Sequence, residues 1–181
     1  MTKNKIFYLG LIFIIGICSL IFRVNLSQAL SNEGAQLKSI EQCANINDFD
    51  KKLNCLKKII TSKRENKKEK EAALSLIMSY WQSKDGESGY LISDLFLDIL
   101  SSDYEFFFFQ MKKYPNEYDN WIKELNDLSF VWFKEPPSPL EKKREKLIAF
   151  LRSISDLQDD TDSLRLKLLD ALIKIKPRQV D

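Results

Sequence analysis

Chemistry in this chain must be done without histidine, which is absent. That removes the commonest general base and the commonest transition-metal ligand, and any Ser-His or Cys-His nucleophile pair with them. Ser-Lys and carboxylate-pair chemistry stay open. A carboxylate-dependent hydrolase needs two acids facing one cleft, and linear spacing names no such pair. Gly86-Glu87-Ser88-Gly89 lacks the Gly-x-Ser-x-Gly order of a nucleophile elbow, and no glycine-rich phosphate loop occurs. Asp156, Asp159, Asp160 and Asp162 offer oxygen ligands of the calcium-binding kind. The glycine and terminal glutamate of an EF-hand loop are missing, so the cluster reads as helix capping and solvated loop. No catalytic residue, cofactor or metal is assigned.

Two further constellations stand out. Cys43 and Cys55 are the only cysteines after the leader. An isolated pair in an oxidising compartment is expected as a disulfide. On one continuous helix, twelve residues would separate them by roughly 18 Å of rise, so the bridge demands a turn between them. The second is Phe106-Phe107-Phe108-Phe109. If helical, four successive side chains fan over roughly 300°, and one core cannot take them all. Trp132 and Phe133 add aromatic area nearby. Two readings compete: a large aromatic core, or a partner surface formed by Phe106, Phe107, Phe108, Phe109, Trp132 and Phe133.

The compartment is set at the N-terminus. Lys3 and Lys5 precede the uncharged run Ile6 to Phe22, and Ser27-Gln28-Ala29 places small residues for cleavage after Ala29. Residues 1–29 are therefore read as a signal peptide or an uncleaved membrane anchor. The apolar run is long for a signal core and short for a span, and Arg23 is unusual so close to a cleavage site. Both readings place the N-terminus inside and the bulk of the chain outside, periplasmic or extracellular. Cys18 follows Ile17 rather than a small residue, which disfavours a lipid-modified cysteine.

The chain has 28 basic and 26 acidic side chains, and Lys3, Lys5 and Arg23 belong to the leader, leaving 25 against 26. A net charge near −1 supplies no basic footprint for nucleic acid. The interleaved run Lys63 to Lys70 reads as a solvated connection.

These residues need a scaffold, and its elements are helical. Beyond the leader there are only three glycines, Gly34, Gly86 and Gly89, and prolines are confined to 115, 136, 137, 139 and 177. Few breakers and much Leu, Lys and Glu predict an all-α domain over 47–177, after a linker at 30–46 and before a tail at 178–181. About seven short helices are expected. The first is capped by Asn47 and carries Phe49, Leu53, Leu56 and Ile60 on one face. The second holds Ala73, Leu74, Ile77, Met78 and Trp81 and is ended by Asp85-Gly86. The third, with Leu91, Ile92, Leu95, Phe96, Ile99 and Leu100, has the broad apolar face of a central helix. Ser101-Ser102-Asp103 breaks and caps again, giving a short helix over 103–113 and another over 116–128 with Tyr118, Trp121, Ile122 and Leu125 inward. Residues 130–139 read as a loop. Ser138-Pro139-Leu140-Glu141 has the residue types of a capping box and opens a helix facing Leu140, Leu147, Ile148, Leu151 and Ile154. Asp160 or Thr161 caps the last helix, which Pro177 follows. Short links pack such helices as antiparallel hairpins, in an irregular bundle or a stack resembling HEAT-like solenoids, although no repeat period is found.

The expected function is that of an exported α-helical protein-protein interaction module of a bacterial-type cell envelope, with a protein partner and no nucleic acid. The alternatives are a carboxylate-dependent envelope hydrolase and a structural component tethered through residues 6–22.

Overall fold

The fold is all-α apart from one two-residue strand pair, and the computed structural model describes residues 38–63, 66–132 and 138–179. The predicted leader and Phe133 lie outside these residues. No helix among the described residues is long and apolar enough to cross a membrane. Residues from Cys43 onward form one compact unit.

A helical stretch at 38–44 (α1) ends just after Cys43. It falls in the predicted linker, where two turns are too short to show an apolar period. α2 follows at Phe49–Thr61. Its N-cap is Asp48 rather than Asn47, with Asp48 Oδ1 accepting from the Lys51 N–H at 3.0 Å. Either side chain can cap, and a shift of one residue chose the second. Asn66 caps α3, Lys67–Gln82, accepting from the Glu69 N–H at 2.9 Å.

Asp85-Gly86 does more than end a helix. Asp85 is the N-cap of α4, Gly86–Ser102, in a reciprocal capping box with Ser88. Asp103 then closes α4, its N–H bonding the Ile99 carbonyl, and opens α5, Tyr104–Met111, accepting from the Phe106 N–H at 3.2 Å. Pro115 does not merely stop a helix; it occupies the first turn of α6, Pro115–Ser129, where its missing N–H costs nothing. α7 spans Ser138–Ser153 and α8 Asp159–Lys174. Neither Asp160 nor Thr161 is the N-cap of α8. Gln158 holds that position without a side-chain cap bond, and the Thr161 hydroxyl donates back to its carbonyl at 2.9 Å. Val131–Trp132 (β1), in the predicted loop, pairs in parallel with Arg178–Gln179 (β2), in the predicted tail.

The sequence order of apolar faces becomes a core around α4. That helix packs against α2, α3, α5 and α6, and Ile92, Phe96, Ile99 and Leu100 on it are fully or almost fully buried. Phe96 meets Trp81, Phe107 and Trp121 at ring-centroid distances of 5.7, 6.3 and 5.5 Å, edge-on or tilted, as ring quadrupoles prefer. One polar chain crosses this core. Trp121 Nε1 donates to Ser93 Oγ at 2.9 Å, and Ser93 Oγ shares a 2.7 Å hydrogen bond with Ser129 Oγ. It locks α6 against α4 at a fixed register, since a buried indole N–H without an acceptor is expensive.

α7 and α8 form a hairpin, packed against each other, and α8 also packs on α5 and α6. The Tyr118 hydroxyl on α6 donates to the Leu164 carbonyl on α8 at 2.7 Å. Burial, with Asp119 nearby, pushes that phenol well above its ordinary value. Cys43 and Cys55 form the expected disulfide, with Cα atoms 5.5 Å apart. The residues between α1 and α2 supply the turn it requires.

Candidate functional site

Helical geometry divides the four consecutive phenylalanines in two. Phe107 and Phe108 point inward and are fully buried, in edge-on contact with each other at 5.5 Å. They belong to the core and are not partner surface. Phe106 is half-buried and Phe109 is 43% exposed. Of the six candidate surface residues, these two remain at the surface. The side chain of Trp132 and the whole of Phe133 lie outside the described residues.

Phe106 and Phe109 border a groove of about 460 Å³ between the start of α3, the start of α5 and the α7–α8 connection. Its walls are charged on both sides: Lys67 from α3, Asp103 and Glu105 around the α5 start, and Asp156 before α8. Cations crowd the two rings. Lys67 Nζ lies 4.5 Å from the Phe109 centroid and Lys113 Nζ 5.2 Å from it, while Lys70 Nζ lies 5.9 Å from that of Phe106. Ammonium groups over a ring face are attracted by its quadrupole, so lysines accompany both phenylalanines, with Lys70 largely buried beside Phe106.

The lysines are themselves placed by acids. Lys70 pairs with Asp103 at 3.3 Å, and Lys113 with Glu71 at 3.4 Å. Glu71 also accepts from the buried Gln110 amide at 3.0 Å. Desolvation alone would raise the Glu71 carboxyl, but the Gln110 bond and the Lys113 charge overcome it and hold the group below its ordinary range. Burial, and then the charges of Glu105 and Asp156, raise the Tyr104 phenol beside the groove. Sequence reasoning missed Lys67, Lys113 and Asp156 as parts of this surface; their shared location depends on tertiary contacts between α3, α5 and the α7–α8 connection.

The aspartate cluster does not assemble. Among the described residues no group of three or more potential ligands could hold a metal ion. Asp160 pairs with Lys112. Asp162 pairs with Arg165 at 2.5 Å, and that hydrogen bond holds its carboxyl below the ordinary range. Asp156 accepts from the Ser155 hydroxyl at 2.7 Å. Other displaced carboxyls move the same way: Asp48 through its hydrogen bonds with Lys51, and Asp85 through those with Ser88.

No protein-family model matches this chain, and searches of curated proteins and of solved structures returned no significant match.

Proposed function

We propose that this protein is a non-enzymatic, exported helical module that binds another envelope protein through the groove bordered by Phe106 and Phe109. The observation that supports it is the outward placement of these two rings beside a groove with charges of both signs. Exposed aromatic side chains flanked by polar groups suit the anchor role seen at protein interfaces. Export rests on the basic-then-apolar pattern of residues 1–29. Retention of residues 6–22 would tether the module to the membrane; removal after Ala29 would release it. The scaffold is read as an irregular bundle rather than a HEAT-like stack, because α4 touches α2 and α6 as well as its sequence neighbours α3 and α5.

The hydrolase alternative needs a carboxyl held protonated near neutral pH. Among the described residues the displaced carboxyls, Asp48, Glu71, Asp85 and Asp162, move downward, opposite to that requirement. The binding reading is therefore preferred.

Cross-linking in intact cells, followed by purification of the full chain, tests it. Wild type should give a discrete cross-linked species that Phe109→Ser abolishes. Ile173→Ser should leave that species in place, because Ile173 is similarly exposed at 49% but does not border the groove. An unchanged pattern in Phe109→Ser would remove the groove from the reading.

A further inference from the structure

A second surface lies between α4 and α7, apart from the Phe106–Phe109 groove. α7 packs on α8 and reaches α4 through Lys143 and the start of α5 through Phe150. Lys143 Nζ bonds Asp94 Oδ1 at 2.9 Å, and the Phe150 ring lies 6.1 Å from that of Tyr104, edge to face. Between these two clasps runs a groove of about 590 Å³. Leu97, Leu147, Phe150 and Pro139 give it an apolar lining, and Lys142 and Lys146 stand on its rim.

The charge of this groove is positive for a reason that can be followed residue by residue. The acid in its lining, Asp98, is paired with Lys57 at 2.5 Å, and Asp94 outside it is paired with Lys143. Lys142 and Lys146 are exposed, sit one helical turn apart, and make no ion pair among the described residues. α7 as a whole carries Lys142, Lys143, Arg144, Lys146 and Arg152 against Glu141 and Glu145. With Lys143 paired to Asp94, an excess of two positive charges remains on this one helix of a nearly neutral chain.

We infer that the α4–α7 groove docks an acidic amphipathic helix of a partner protein. The apolar lining takes the partner's buried stripe, and its flanking carboxylates meet Lys142 and Lys146. From Lys142 to Phe150 the helix rises about 12 Å, which matches two turns of a docked helix. A helix laid in a groove is anchored by side chains at i, i+3, i+4 and i+7, a length this groove accommodates. Complementary charge sets orientation and speeds encounter, and it selects an acidic partner over a basic one.

The probe is a fluorescently labelled peptide of about four helical turns, with Leu and Phe on one face and Glu on both flanks. Anisotropy is measured with the full chain against three comparators: the same composition scrambled, the same pattern with Lys in place of Glu, and phosphatidylglycerol vesicles. The acidic amphipathic peptide should bind best, and added salt should weaken it. The K142E/K146E variant should bind roughly tenfold or more weakly, as expected for reversal of two complementary charges, with an unchanged melting curve. The inference is overturned by no binding of the acidic peptide, by equal binding of the scrambled one, by insensitivity to K142E/K146E, or by binding to vesicles alone. Loss of binding in Phe109→Ser with K142E/K146E unaffected would assign the peptide to the other groove and overturn it as well.

Discussion

Ser93→Ala should be among the most costly single-atom deletions in this protein. Ser93 is the middle member of the chain Trp121–Ser93–Ser129, and it is fully buried. Its hydroxyl accepts from the indole and shares a bond with Ser129. Deleting it strands the Trp121 N–H, which has no water to turn to because Trp121 is also fully buried. An unsatisfied buried donor costs about 1–3 kcal/mol. Ser129 can bond back to its own helix, so it adds little. A loss of about 2 kcal/mol is expected, which lowers the melting temperature by roughly 4–8 °C for a domain of this size. Ser129→Ala should cost less than half as much, since Ser93 keeps the indole. The assay is urea unfolding followed by far-UV circular dichroism, with Trp121→Phe completing a double-mutant cycle. Removing the N–H should make Ser93→Ala cheap, with a coupling of about 1 kcal/mol or more. Additive effects, or a Ser93→Ala cost no larger than that of Ser129→Ala, would refute the claim that this bond fixes α6 on α4.

Phe107→Ala should cost about 3–5 kcal/mol, as large-to-small changes at fully buried aromatics do. Phe109→Ser should change stability by less than about 1 kcal/mol, because surface substitutions seldom do more; thermal melts of the two variants read the contrast directly. Paired Cys43→Ser and Cys55→Ser substitution, or reduction, should remove about 2–3 kcal/mol, the value expected for a loop of this length, and chemical denaturation with and without reductant measures it. Asp48, Asp85, Asp162 and Glu71 bind protons less readily in the folded chain than at their ordinary values of 3.8 and 4.5. Below those values the unfolded state takes up more protons, so their stabilisation is present above about pH 4.5 and is lost as the pH falls through the folded-state values. With no histidine to titrate, urea midpoints should stay level between about pH 5 and 8; a sharp change in that interval would contradict this account.

Local signals proved readable where one residue carries its own reason. Asp103 joins two helices because one residue closes α4 with its backbone N–H and caps α5 with its side chain, and Ser101-Ser102-Asp103 announced that break. The fan of four phenylalanines left either a helix buried on nearly every side or an exposed ring, and Phe109 at the surface decides for the second. The disulfide was expected from the cysteine count and an expected oxidising compartment, and Cys43 and Cys55 form it. What escaped the sequence depends on partners far along the chain. Nothing near Ser93 shows that it will meet Trp121 and Ser129, 28 and 36 residues away. The Glu71–Lys113 pair that places a cation beside Phe109 joins α3 to the end of α5. Asp85-Gly86 was legible as a stop but not as a start, because a capping box with Ser in the third helical position uses a less familiar residue than Glu or Gln. The extended pair β1–β2 joins two segments too short for any alternation of side chains to register.

The Cys43–Cys55 bridge also determines how tension would travel if the leader is retained as an anchor. A pull from the membrane would arrive along the backbone at Cys43 and cross the sulfur atoms to Cys55, in the middle of α2. Residues 44–54 would be left slack. The first turn of α2 then could not be peeled from its end, and rupture would have to shear α2 away from α3 and α4, a mode that breaks many packed contacts together. In single-molecule stretching from the N-terminus, the oxidised chain should yield at higher force than the reduced one and release a contour shorter by the residues the bridge shields. A single covalent bond would thus set where the load enters the domain and whether α2 is sheared or peeled.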